Sequence, residues 1–155
     1  MINQYQNPII RGMHPDPSVV RVGDHYYLAN STFEYYPGIT VMVSDDLLNW
    51  RTLGGVATVP EQADLRTAKS NEGIFAANIR YHDGYFYVIT TNFAEFKTFI
   101  IRGKLAEDGS RLTGRSHGQR LTYLGSILTC ILKMAIPMFN LLAILIRKGR
   151  RQSAR

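Results

Sequence analysis

Two stretches of this chain carry the same hairpin pattern, and that repetition limits the folds open to it more than any other feature. Val19 to Val22, Gly23-Asp24 and then Tyr26 to Asn30 read as strand, tight turn and strand. Ile79 to Tyr81, a turn through His82-Asp83-Gly84, and Tyr85 to Thr91 read the same way. Laid over each other without a gap, Val19 to Thr32 falls on Asn78 to Thr91 at an offset of 59 residues, with Arg21 over Arg80, Asp24 over Asp83, Tyr26 over Tyr85 and Thr32 over Thr91. Ile39 to Val43 and Trp50 to Val56 continue the first meander, with Ser44-Asp45-Asp46 starting the turn between them. No helical period appears between Ser18 and Phe99. Antiparallel strands recurring at this spacing, with aromatic residues at fixed places, match the blades of a β-propeller, although two unrelated hairpins with Asp in the turn would also align. Two blades alone leave open sheet edges and an unburied face, which predicts poor solubility.

Charge divides the chain into two kinds of sequence. The 155 residues sum to a formal +6, yet residues 1–100 hold seven Lys/Arg against ten Asp/Glu, and residues 101–155 hold eleven against two. From Gly109 to Arg155 there is no acidic residue, unlike a soluble surface that mixes both signs. The basic residues of that tail lack aromatic interleaving, and the strand-rich part is acidic, so no nucleic-acid partner is expected. Cys130 is the single cysteine, which excludes an internal disulfide framework, and no Cys/His cluster at ligand spacing suggests a metal site; no cofactor is expected. Met1 to Ile10 has no basic stretch followed by an apolar run, which favours a cytoplasmic start over a secretory one. Without export, the acceptor-like triplet Asn30-Ser31-Thr32 reads as chance.

The chemistry concentrates in Asn7-Pro8-Ile9-Ile10-Arg11-Gly12-Met13-His14-Pro15-Asp16-Pro17-Ser18. Asp16 stands between two prolines: Pro17 disfavours the helical region at Asp16 and Pro15 stiffens the approach. A carboxylate held with few backbone options suits a general base, which must meet a water in one geometry. A rigid turn ahead of the first strand would use the same residues.

That segment, with Val22-Gly23-Asp24-His25-Tyr26-Tyr27-Leu28, Ser31-Thr32-Phe33-Glu34-Tyr35-Tyr36-Pro37-Gly38, Ser44-Asp45-Asp46-Leu47-Leu48-Asn49-Trp50, Gly73-Ile74-Phe75-Ala76-Ala77 and Ile79-Arg80-Tyr81-His82-Asp83-Gly84-Tyr85-Phe86-Tyr87, resembles the start of a family 43 glycoside hydrolase of the β-xylosidase and α-L-arabinofuranosidase type. The resemblance runs from about residue 5 to about residue 107. It implies an all-β fold, with residues 1–108 forming the first two blades or so of a five-bladed β-propeller. It also implies inverting hydrolysis of β-xylosides or α-L-arabinofuranosides, hence xylo- or arabino-oligosaccharide partners, and membership of a family often found as homo-oligomers. Position by position it makes Asp16 the general base and puts Phe33, Phe75 and Ala76 at the sugar-binding subsite, where an aromatic ring meets the apolar C–H face of a sugar. Phe75 replaces the family's Trp or Tyr and Ala77 its Pro, so the pocket wall is altered. Inversion also needs a general acid. The family supplies it as a Glu from a later blade, tuned by an Asp in a Gly-Ile-Asp-Pro context, and this chain has no Asp or Glu after Asp108.

Residues 109–155 therefore need a separate account. The apolar run 121–146 followed by Arg147-Lys148-Gly149-Arg150-Arg151 has the length and basic flank of a membrane-spanning helix, which would make the chain a membrane-anchored carbohydrate-binding or interaction module. Lys133, Pro137 and Asn140 inside the run oppose this, a mid-membrane charge costing at least about 2.5 kcal/mol. The genetic code offers another origin. Read out of frame, Thr122 through Met134 permits Leu-Pro-Gly-Ile-Asp-Pro-Asp-Leu-Tyr-Phe-Glu-Asp, the blade start that the family places after its second blade. Thr113 to Gly118 likewise permits Trp-Ser-Glu-Pro-Trp, a blade ending. The expectation is a frameshift near Asp108–Thr113 and an inactive, truncated enzyme fragment.

Overall fold

The computed structural model describes residues 5–107, 109 and 111–113. Two antiparallel four-stranded meanders account for them. The first runs in order through β1 (Ser18–Val22), β2 (His25–Ser31), β3 (Ile39–Ser44) and β4 (Arg51–Gly55), and the second through β5 (Asn78–His82), β6 (Tyr85–Asn92), β7 (Lys97–Leu105) and β8 (Leu112–Thr113). One 3-10 turn, Phe93–Glu95, links β6 to β7. The described part is thus all-β. The span 121–146 lies outside the described residues, and among those described no helix is long and apolar enough to cross a membrane.

Both hairpins close through two-residue turns whose chemistry fits the backbone. Gly23 has φ +60, and Asp83 and Gly84 have φ +49 and +78, the left-handed pair that tight hairpins draw from Asp-Gly. These turns correct the alignment of the repeat. Val22 pairs with His25 and His82 with Tyr85, Ser18 with Ala29 and Asn78 with Ile89, so every equivalent pair is offset by 60 residues and not by 59. The identities at 59 join residues at non-equivalent places in the two hairpins, as with Asp24 and Asp83, the second residue of one turn and the first of the other. A slip of one residue moves each side chain to the opposite face of its sheet.

With the offset at 60 the packing is explained. Tyr27, Ala29, Ile39, Val41 and Val43 share the face of the first sheet that meets the second, and Ile79, Phe86, Val88, Phe99 and Ile101 meet them in a single core. The Tyr27 and Phe86 rings are 4.6 Å apart. Ala29, Ile39, Val41 and Ile79 have no solvent exposure. The equivalents of Val20, Tyr27 and Ala29 are Arg80, Tyr87 and Ile89, on the far face of the second sheet. The two sheets are therefore related by a rotation that repeats in one sense, as the blades of a propeller are.

At the β3–β4 turn, Asp46 acts as the local organiser. Its carboxylate accepts the Asn49 backbone N–H (2.7 Å), the Asn49 side-chain amide (2.7 Å), the Leu48 N–H (2.8 Å) and the Ser44 hydroxyl (3.0 Å). Those bonds, Asn49's first, hold its carboxyl well below the usual carboxylate range. Because the folded value is the lower one, the loop's stabilisation is complete above about pH 4 and fades as pH falls through the ordinary carboxylate range and below it. Asp46→Ala should lower the urea midpoint at pH 7, and the gap to the parent should narrow in titrations carried down to pH 3. A gap that stays constant with pH would show that the Asp46 charge is not what closes the loop.

Candidate active site

Topology gathers the candidate residues at one end of the two sheets. β1 and β5 are the first strands of their meanders and lie side by side, the Ile79 N–H donating to Ser18 Oγ at 3.2 Å. Their N-terminal ends coincide with the C-terminal ends of their antiparallel partners β2 and β6. Four segments lie at that end: Asp16 ahead of β1, Phe33 after β2, Phe75-Ala76 ahead of β5, and Asn92, the last residue of β6, with Phe93 after it.

A crossbar of hydrogen bonds fixes three of these segments. Ile74 N–H donates to Phe33 O (3.0 Å), Phe75 N–H to Thr91 O (2.9 Å) and Phe93 N–H to Gly73 O (2.6 Å). Side chains reinforce it: Ser31 Oγ donates to Ile74 O (2.5 Å) and accepts from Phe33 N–H (2.9 Å), and Thr90 Oγ1 donates to Phe75 O (2.7 Å). Phe33 and Phe75 are thus held as near neighbours, both half-buried, with Ala76 exposed beside them. Phe33 sits at φ +52, a conformation that a bulky residue adopts only where its surroundings compel it.

Asp16 is exposed, at φ +49. The backbone ahead of Pro17 avoids the right-handed helical region, as its sequence requires, but takes the left-handed region, which Asp tolerates better than most residues. His14, two residues earlier, ties the loop down: its Nε2 lies 3.1 Å from Arg11 O and its Nδ1 3.5 Å from Asn30 Oδ1. Asn30 is fully buried, accepts from Thr40 Oγ1 (2.7 Å) and donates to Ser31 O (2.9 Å). The triplet Asn30-Ser31-Thr32 is therefore internal scaffolding under the site, with each of its residues less than one tenth exposed.

Phe93 and Asn92 were missed by the sequence reading. The Phe93 ring stacks on Phe75 at 4.8 Å and 10°, and Phe96, 70% exposed, tilts against Phe93 at 4.7 Å. The signal was present, since at the true offset of 60 Phe93 is the equivalent of Phe33 and Ala76 that of Asp16. Glu95 reaches the same end of the sheets but is engaged, accepting from Lys97 Nζ and Asn92 Nδ2 at 3.0 Å each. Among the described residues no group of His, Cys, Asp and Glu is arranged to hold a metal ion. A crevice lined by Val56, Gln62, Phe86, Val88, Ile101 and Arg102 lies between the sheets, away from the Asp16 loop.

Residues 5–108 match the family described as Glycosyl hydrolases family 43. Over 90 residues the chain is 51% identical to a non-reducing end α-L-arabinofuranosidase of Bacteroides ovatus, a stretch covering 57% of this chain and 17% of that protein. Over 92 residues it is 46% identical to a xylan 1,3-β-xylosidase of a Vibrio species, covering 59% and 17%. The solved structure of the Bacteroides ovatus protein "Xyloglucan PUL GH43B" superimposes with a TM-score of 0.66 at 39% identity, over 77% of this chain and 23% of that one. The chain thus spans about a sixth of the length of these curated relatives, and its two sheets are part of a five-bladed β-propeller.

Gly73 is the tightest point of the crossbar. It has φ +80, and a Cβ there would collide with Phe33 O and the carbonyl carbon behind it. Gly73→Ala should cost about 1–3 kcal/mol by overpacking and strain, read as a lower urea midpoint, and should move the Phe33 and Phe75 ring signals together in NMR spectra. An unchanged midpoint would mean that the crossbar is not rigid.

Proposed function

The chain belongs to glycosyl hydrolases family 43, and we propose that it carries the water-activating half of a glycosidase site, with Asp16 as general base and Phe33, Phe75 and Ala76 as one wall of the sugar subsite. What supports this reading is that Asp16 precedes β1 at the same end of the sheets at which the hydrogen-bonded Phe33, Phe75 and Phe93 segments lie. The Asp16 loop is pinned there through His14 to the buried Asn30. A carboxylate beside apolar rings can orient a water toward an anomeric carbon while the rings hold the sugar face. The matched relatives support β-xylosides or α-L-arabinofuranosides, from xylan- or arabinan-derived oligosaccharides, as the substrate class.

The chain by itself is proposed to be inactive. Inversion needs a second carboxyl group across the scissile bond. Glu95 is committed to Lys97 and Asn92, and the sequence offers no acid after Asp108. We take residues 1–108 as the glycosidase part and 109–155 as out-of-frame sequence. The family match ends at residue 108, where the acidic residues also end. The alternative, a module anchored through 121–146, predicts that the chain resists alkaline extraction from membranes.

On 4-nitrophenyl β-xyloside and α-L-arabinofuranoside the 155-residue protein should show no turnover above buffer, and robust hydrolysis would overturn inactivity. Resequencing the locus should reveal a single-base change that reopens a downstream frame. The restored protein should hydrolyse one of these substrates, with Asp16→Asn losing about 10²–10⁴ in kcat. Restored activity that survives Asp16→Asn would remove Asp16 from the base role.

A further inference from the structure

The short link between β6 and β7 carries the most exposed large hydrophobic side chain among the described residues. Phe96 is 70% exposed and sits at φ +49, ψ +40, where it caps the 3-10 turn Phe93–Glu95 by donating its N–H to Phe93 O at 3.2 Å. Turns of this kind favour Gly or Asn at such a position, because a Cβ strains the left-handed region. A phenyl ring here is unfavourable on both counts: it keeps a large apolar surface in water, on a backbone that glycine would take without strain.

The turn is nonetheless firmly held. Asn92 has no exposure and uses both ends of its amide: Oδ1 accepts the Ala94 N–H (3.2 Å), and Nδ2 donates to Asp64 O (2.9 Å) and Glu95 Oε2 (3.0 Å). Glu95 also accepts from Lys97 Nζ at 3.0 Å, so the residues on either side of Phe96 are tied to each other. A strained, exposed residue fixed in this way points to binding and not to fold stability.

Phe96 also continues the aromatic wall. Its ring lies 4.7 Å from Phe93, which stacks on Phe75 at 4.8 Å, so three rings run outward from the Phe75 position to solvent. Beside the outermost ring stand the Glu95 carboxylate and the Lys97 ammonium, whose three N–H groups can serve a hydroxyl as well as Glu95. An apolar ring next to polar groups of both kinds suits a sugar unit, which turns C–H bonds toward the one and hydroxyls toward the other. We infer that Phe96, with Phe93 beneath it, forms a second sugar-binding position, taking the next unit of an oligosaccharide whose first unit occupies the Phe33–Phe75 subsite. The inference rests on that proposed subsite and adds to it a preference for oligosaccharides over single sugars.

NMR titration of the full 155-residue chain, isotope-labelled at phenylalanine, tests this with β-1,4-xylotriose and α-1,5-arabinotriose, each against its own monosaccharide. One trisaccharide should bind about threefold to tenfold more tightly than its monosaccharide and shift the Phe93 and Phe96 ring signals. Phe96→Gly should abolish that preference while leaving monosaccharide binding and the urea midpoint no lower than in the parent. Phe96→Tyr, which keeps the ring face, should retain the preference. A parent chain without the preference, or a preference that survives Phe96→Gly, would overturn the second position. So would a urea midpoint that falls in step with the preference, since Phe96 would then serve the fold. A trisaccharide that shifts Phe93 and Phe96 but not Phe33 or Phe75 would uphold this position and count against the subsite reading. Equal binding of both sugars at Phe33 and Phe75 alone would do the reverse.

Discussion

Neither four-stranded sheet can bury its own apolar face, and everything else in the structure follows from how the two solve this together. Ile39, Val41 and Ala29 of the first sheet and Ile79 of the second lose all solvent contact at their junction, and Tyr27 packs on Phe86 there. Burial of one such aliphatic side chain is worth about 1.5–3 kcal/mol. The junction is also directional. Each sheet offers one kind of face and accepts another, so two sheets still leave an unmatched face at either side. This differs from a sandwich, where two apolar faces close on each other and nothing is left over.

Ile74 couples that core to the candidate site. Its side chain has no exposure and belongs to the shared cluster, while its N–H and carbonyl bind Phe33 O and Ser31 Oγ. The residues on either side of it are Gly73, which must lack a side chain to pass Phe33, and Phe75, which faces the stack with Phe93. Loss of core packing therefore displaces the aromatic wall directly, without an intervening flexible loop. Positioning by buried elements is what a site needs when its reacting groups must be placed within fractions of an ångström.

Much of the fold was legible because turn chemistry is local. Gly23-Asp24 and Asp83-Gly84 announce hairpins, and the alternating residues around them announce strands. The register was harder, because Asp occurs at the second position of one turn and the first of the other. Aligning the two aspartates slipped the repeat by one and hid the equivalence of Phe93 with Phe33. β7 went unnamed because Lys97–Leu105 carries Arg102 and Lys104 on a face whose burial depends on more than this pair of sheets. Asn30-Ser31-Thr32 reads as a chance acceptor-like pattern, since nothing local shows that a polar triplet will be enclosed and satisfied by Thr40, Ile74 and His14. Asp16 stood out for the opposite reason: flanking prolines constrain it wherever the rest of the chain goes.

On the proposed reading, the same rotation would explain why a base could be built from two sheets and an inverting site could not. Each sheet contributes the residue two positions ahead of its first strand, Asp16 from one and Ala76 from the other. β1 and β5 are adjacent, so these positions approach a bound sugar from neighbouring directions. Inversion places its carboxyl groups on opposite sides of the scissile bond, roughly 6.5–9.5 Å apart, with water entering on one side and the leaving group departing on the other. A carboxylate introduced at Ala76 would thus stand beside Asp16 and not across from it. Like charge at close range would then hinder ionisation of the base instead of completing the pair. On that reading the general acid would come from a sheet further round the ring, and the need for more sheets would be chemical as well as structural.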